Sequence, residues 1–511
     1  MFSTGLLFIG FIIAAVALPL WFLTQSSSKK TDLFRNLLWV GIGTYAVAVT
    51  MAPAELDVKF SAAFRDFLVL AGIGLASNFL VKNRILFIIS AIAGVLALGV
   101  YYKNVLLPSF AASTAQSIEL AADGELFIEI TQNTKVERLQ GIFDQYNIKA
   151  ARAFFPEDAA MTELDDYYVL NIPDSQLKNL PAIKKALQAS GIVDWQEENE
   201  IVELDDPATE SKLGKINKKF GINDPDVEKL WSFEAMEMDK LYDYIEAQQI
   251  KPKRKALIAI LDTGVDSQHE DLNQNYTSIQ KKYDNDPRGH GTHCAGIAAA
   301  VSNNGIGVAS YSRDNSFVEV TSVKVLSASG MGTQQTIIKG IIEAADKGAD
   351  VISMSLGGMS TTSRQKAYTK AVKYALDKGA IVLAAAGNSN RNAKDYAPVN
   401  ATGVIGVSAV DSDLNRAGFS NFVQDIKMGI AAPGVDIYST KPSDNYAIHS
   451  GTSMATPYAA GLVGVMKSIK PSLTNKEAFQ ILSKTGKSTK ANSETGKFIY
   501  PYAAIKALVE Q

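Results

Sequence analysis

From Lys255 to the C-terminus, short apolar runs alternate with amphipathic stretches, and no other feature of the chain narrows its fold as far. Residues 257–261, 351–354 and 381–386 are runs of this kind. Runs this short, apolar on both sides and bounded by turn residues, read as strands covered on both faces. Two of them are entered in the same way: Ala345-Asp-Lys-Gly-Ala349 leads into 351–354, and Leu376-Asp-Lys-Gly-Ala380 leads into 381–386. Gly348 and Gly379 suit the left-handed position that ends a helix, and Lys347 and Lys378 suit its negative end. The fold class expected is α/β, a mainly parallel sheet with helices on both faces. Such sheets place their ligands at the carboxyl ends of the strands.

Those ends carry chemistry. The first run ends in Asp262-Thr263-Gly264, the second in Ser355-Leu356-Gly357-Gly358 and the third in Gly387-Asn388. Turns favour Asp, Gly and Asn on their own account, so one such ending would mean little; three at one sheet edge make a site. A base is supplied by Gly289-His290-Gly291-Thr292-His293-Cys294, where either histidine could serve. An H-x-x-H metal site is the other reading, but no carboxylate or further histidine follows at ligand spacing. Cys294 lies one helical turn beyond His290 in a run that reads as buried, and is expected to pack as a small hydrophobe. The last component is Gly451-Thr-Ser-Met-Ala-Thr-Pro457. Proline tolerates only the start of a helix, so Ser453 is expected near a helix N-terminus. Unpaired N–H groups there would stabilise an oxyanion.

Taken together, these motifs resemble the subtilisin-like serine proteases, the subtilases, over about residues 220–510. The resemblance implies a serine endopeptidase with Ser453 as nucleophile, His290 as general base and then acid, and Asp262 orienting the imidazole. It implies Asn388 as an oxyanion donor beside the Ser453 backbone N–H. Ser355, Leu356, Gly357 and Gly358 match the segment that pairs with an extended polypeptide substrate, and Asp395 lies in a region that shapes the same pocket. His293 is implied to be structural, while His269 and His449 lie outside the triad. No cofactor is implied for the chemistry. Asp271, Asn303 and Asn304 resemble the family's calcium loop, and oxygen donors suit structural Ca²⁺. A catalytically silent peptide-binding regulator built on the same fold is the alternative.

The rest of the chain divides into three. Residues 1–105 carry sparse charge, with uncharged or nearly uncharged runs at 6–23, 36–54, 67–81 and 85–102 that read as about four transmembrane helices. Lys29, Lys30 and Arg35 after the first run, with Lys82 and Arg84 before the fourth, place those loops in the cytoplasm. A multi-pass protein held in the lipid bilayer, with its peptidase domain extracytoplasmic, is the localisation expected. Residues 120–205 read as strand, helix, two strands, helix and two more strands, a small ferredoxin-like α/β domain. It resembles the subtilase propeptide, a folding aid and intramolecular inhibitor. Residues 206–219 are polar and acidic, an exposed linker open to proteolysis. Residues 220–511 form the peptidase domain. The net charge of −3 excludes a general nucleic-acid surface, and a single cysteine excludes an intramolecular disulfide.

Overall fold

The computed structural model describes residues 2–24, 28–51, 66, 70, 124–132, 134–204, 219–360 and 365–510. The chain divides into two compact units, Met1–Glu119 and Leu120–Gln511.

In the first unit, helices Phe2–Leu23 and Ser28–Met51 pack through Ala14, Ala17 and Leu38. Among the described residues no helix is long and apolar enough to cross a membrane. The multi-span region is therefore not found in the part where its first two spans were expected. The second helix opens with Lys29, Lys30, Asp32 and Arg35, which lowers its hydropathy. The third and fourth expected spans, 67–81 and 85–102, lie outside the described residues apart from Leu70.

The second unit is built on a seven-stranded, wholly parallel sheet. Its strands run in the order Lys497–Phe498, Gly429–Pro433, Ile405–Val410, Ile381–Ala385, Val351–Met354, Ala256–Asp262 and Val318–Lys324. The three strands whose ends carry polar chemistry are adjacent. Both faces are covered, as apolar two-sided strands require. Thr452–Ile469 and His290–Ala299 pack on one face, Gln334–Asp346 and Lys366–Asp377 on the other.

Residues 124–204 form a four-stranded antiparallel sheet in the order Lys149–Arg152, Tyr167–Asn171, Leu126–Ile130, Val193–Glu198. The alternation along Leu126–Ile130 explains how the sheet is shared between two cores. Leu126, Ile128 and Ile130 pack under Phe143, Ile183 and Leu187, the last three from or beside its own helices Gln140–Tyr146 and Leu180–Ala189. Phe127, on the opposite face, joins the cluster containing Ile337, Ile338 and Tyr368 of the large domain. Glu129, also on that face, meets Lys366 at 2.8 Å and Lys370 at 2.6 Å. The last strand expected in this module lies elsewhere: Ile201–Glu203 pairs antiparallel with Met331–Thr333 of the large domain. The linker expected at 206–219 is outside the described residues except for Lys219.

Candidate active site

Asp262 ends its strand fully buried, and His290 opens its helix at 1 % exposure. The His290 Nδ1 lies 2.8 and 2.9 Å from the two Asp262 carboxylate oxygens. A carboxylate only accepts, so the shared proton belongs to Nδ1 and the basic lone pair is on the other ring nitrogen. Asp262 Oδ1 also accepts the Thr263 N–H at 2.7 Å. The turn before the helix depends on Gly289, whose φ of 82° is left-handed and whose position a side chain would share with Lys441 and Pro442.

Ser453 is the second residue of Thr452–Ile469, as its distance from Pro457 suggested, but Pro457 lies beyond the first turn. It lacks the N–H that would bond the carbonyl four residues back, which is that of Ser453. That carbonyl accepts instead from Ser355 Oγ at 2.7 Å and from Cys294 Sγ at 3.5 Å. The Ser453 hydroxyl in turn donates to the Ser355 carbonyl at 3.1 Å. Proline, serine and cysteine thus tie three motifs together. The ligand-type atoms of Asp262, His290 and Cys294 lie within 4.8 Å of one another, but carboxylate and imidazole are engaged with each other and the thiol with the serine carbonyl.

Asn388 follows the strand Ile381–Ala385, and its Oδ1 accepts from Thr452 N at 2.8 Å and Thr452 Oγ1 at 2.9 Å. This settles which end of the amide is the donor end. A methyl carbon on Gly451 would lie 3.4 Å from Asn388 Nδ2 and 3.6 Å from Ser453 N. Both donors therefore border one small space, which any side chain at 451 would fill.

Leu356 is buried, Gly357 backs onto the Ala397 carbonyl, and Gly358–Met359 pairs with Tyr396–Ala397. The residues that sequence reading missed lie opposite them. Met331–Thr333 receives the strand Ile201–Glu203, Leu204 N donates to Gly330 O at 3.2 Å, and Gln334 N donates to Glu200 O at 2.8 Å. A built Cβ on Gly358 would lie 3.8 Å from Val202. Residues 200–204 thus lie extended between the two edges of the groove. The glycine spacing of Gly330-Met-Gly332 was the available signal.

Asp395 is exposed, its carbonyl accepting from Ser360 N. His293 Nε2 faces the Ala447 carbonyl at 3.0 Å, and burial pushes this imidazole well below its ordinary pKa. His449 stacks edgewise on it, and His269 bridges Asn445 O and Asp271 N.

Of the expected calcium residues, Asp271 and Asn304 come together: Asn304 Nδ2 donates to Asp271 Oδ1 at 2.9 Å. Asn303 turns away, its Oδ1 accepting from Asn223 N. A second buried carboxylate, Asp224, takes the backbone N–H groups of Asn303 and Asn304 at 2.7 and 3.1 Å. Burial, with the Asp224 charge adding to it, pushes the Asp271 carboxyl up to about 8. Two buried carboxylates that repel each other form an oxygen-rich set suited to a divalent cation.

Residues 253–500 match the model of the Subtilase family. Thermitase of Thermoactinomyces vulgaris is 44 % identical over 238 residues, which are 46 % of this chain and 82 % of that protein. The chain belongs to the subtilase family. Subtilisin DY of Bacillus licheniformis is similar at 39 % identity over 251 residues, 48 % of this chain and 87 % of its own. Among solved structures, a protease from Pseudoalteromonas arctica superposes with a TM-score of 0.50 at 30 % identity, covering 56 % of this chain and 99 % of that one. This subtilase is accordingly a serine endopeptidase with a subtilisin-like parallel α/β domain.

Proposed function

We propose that this subtilase hydrolyses extended polypeptides through Asp262, His290 and Ser453, with Asn388 and the Ser453 N–H receiving the oxyanion. The observation that carries the reading is the paired contact of His290 Nδ1 with both Asp262 oxygens, at 2.8 and 2.9 Å, on a helix whose Cys294 thiol meets the carbonyl of Ser453, itself in the first turn of a second helix. The carboxylate holds the tautomer that presents a base, and stabilises the imidazolium when Ser453 gives up its proton. The helix N-terminus and the Asn388 amide then meet the charge that develops on the carbonyl oxygen. Labelling with a serine-reactive fluorophosphonate tests this directly. The full chain should label and Ser453→Ala should not; an unlabelled wild type would leave a silent peptide-binding module as the reading.

Residues 120–205 act, on this reading, as a ferredoxin-like propeptide whose last strand inhibits by lying in the substrate groove. The antiparallel pairing of Ile201–Glu203 with Met331–Thr333 supports this role. Cleavage within 206–219 would convert a tethered inhibitor into a dissociable one.

Asp271, Asp224 and Asn304 would hold structural Ca²⁺, which would supply the positive charge that the two carboxylates lack. The chemistry itself needs no cofactor. Membrane anchoring by the N-terminal region, with the peptidase outside the cytoplasm, rests on the four uncharged or nearly uncharged runs at 6–23, 36–54, 67–81 and 85–102 and on the placement of Lys29, Lys30, Arg35, Lys82 and Arg84 in the two loops read as cytoplasmic. Extraction of native membranes with alkaline carbonate tests it: an anchored chain stays in the pellet, and recovery in the supernatant refutes anchoring.

A further inference from the structure

Asp286 lies four residues before His290 and is 5 % exposed. Its Oδ1 accepts from Thr263 Oγ1 at 2.8 Å, Gly289 N at 2.7 Å and Arg288 N at 3.2 Å. Its Oδ2 accepts from the backbone N and the Oγ1 of Thr292, both at 2.8 Å. The Thr263 contact reaches the strand end that carries Asp262, and the others hold the turn and first turn that carry His290. One carboxylate therefore connects the two elements whose side chains meet at the imidazole.

Thr263 is the informative partner. Its hydroxyl lies 2.8 Å from Asp286 Oδ1 but also 3.2 Å from Asp262 Oδ1, and it accepts the Gly291 N–H at 3.1 Å. A hydroxyl has one proton to give. The shorter contact is to Asp286, so the proton goes there and Asp262 is spared a donor that would compete with His290. We propose that Asp286 is a positioning residue for the triad: by holding the Thr263 hydroxyl proton, it keeps a further donor from joining the Thr263 N–H on Asp262 Oδ1 in competition with the imidazole. This rests on the triad reading above.

An amide at 286 would redirect the hydroxyl proton. Its oxygen would stay toward the Gly289 and Arg288 N–H groups, but a neutral amide is a weaker acceptor than a carboxylate, so the Thr263 hydroxyl would turn its proton onto Asp262 Oδ1. A carboxylate that accepts an additional hydrogen bond stabilises the imidazolium less, so His290 would lose its proton at lower pH. The other groups facing this region stay in place: Asp262 across the contact, His293 and Cys294 on the histidine helix, Arg288 in the turn, and Lys324 and Lys441 from neighbouring elements.

The test is the pH dependence of kcat/KM on a chromogenic peptide. It uses the full chain, with active sites counted by fluorophosphonate, for wild type, Asp286→Asn, Thr263→Val and the double variant. In Asp286→Asn, kcat should fall about tenfold with KM within about twofold, and the acid limb should move down by about half a pH unit. In the Thr263→Val background the same change should move the limb by much less, since no hydroxyl proton is left to redirect. A folded Asp286→Asn with an unmoved limb overturns the proposal, and so does an equal shift in both backgrounds. Should Asp286→Asn not fold, Thr263→Val decides alone. Its limb should stay at the wild-type pH, and a limb displaced upward would mean that the hydroxyl had been donating to Asp262. Full activity in Ser453→Ala would instead fail the triad reading, independently of Asp286.

Discussion

The Thr452 contacts to Asn388 Oδ1 turn the amide so that its donor end and the Ser453 N–H border the same space. A donor aimed where charge develops matters in the transition state far more than in the ground state. Asn388→Ala should therefore lower kcat by about 10²–10³-fold and leave KM within a few-fold. A matching loss through KM alone would show that the amide binds substrate instead. The identity of this residue was legible, because Gly387-Asn388 ends a buried strand. What orients it was not, because Thr452 is 64 residues away in the chain.

Between elements, the module at 124–204 docks through two buried carboxylates of opposite tendency. Burial pushes the Glu129 carboxyl up, but Lys366, Lys370 and Tyr167 outweigh it and hold the group below its usual range. Glu197 has neutral N–H donors from Trp195, Gln334 and the backbone of Lys366 and Ala367, and burial outweighs them and raises it to about 7. A depressed carboxyl contributes to docking above its free pKa and ceases to as pH falls through its docked value. A raised one contributes most below its free value, and that contribution is lost as pH rises through about 7. Inhibition of the processed enzyme by the module added in trans should thus be strongest in mildly acidic solution and weaken as pH passes 7. Glu197→Gln should flatten the alkaline side of the inhibition constant's pH profile. An unchanged alkaline side would remove Glu197 from the docking energetics. Charge alternation in Glu125-Leu-Phe-Ile-Glu-Ile130 marked a two-faced strand, yet nothing local said that its acidic face meets lysines more than two hundred residues on.

At the scale of the whole molecule, the Asp271–Asp224 pair joins a loop at the start of the peptidase domain to the loop 303–308. Without a cation the folded state favours the protonated Asp271. Its contribution is then complete below the ordinary carboxylate range and lost as pH rises through about 8. In EGTA the thermal midpoint should therefore fall between pH 6 and pH 9, and the gain on adding Ca²⁺ should grow over the same interval. Differential scanning fluorimetry at matched ionic strength measures both, and a Ca²⁺ effect independent of pH would point to a site elsewhere. Asp271 and Asn304 were recognisable from their loops, whereas Asp224 was not, since an Asn-Asp-Pro turn is ordinary loop composition.

The sequence by itself determined the parallel α/β class, the strand ends at 262, 355–358 and 387–388, and the histidine and serine motifs. Each depends on short-range periodicity or on a backbone position that only glycine or proline satisfies. Tertiary structure decided how those pieces join. The carbonyl left without a helical partner by Pro457 is met by Ser355 and Cys294, and Asp286 ties the aspartate strand to the histidine helix. Residues 200–204 leave their expected sheet to lie beside Gly330–Thr333. Hydrogen bonds of this kind close between segments tens to hundreds of residues apart. Their donors and acceptors are ordinary backbone, serine and aspartate groups, which carry no periodicity to read until the sheet has brought them within 3 Å.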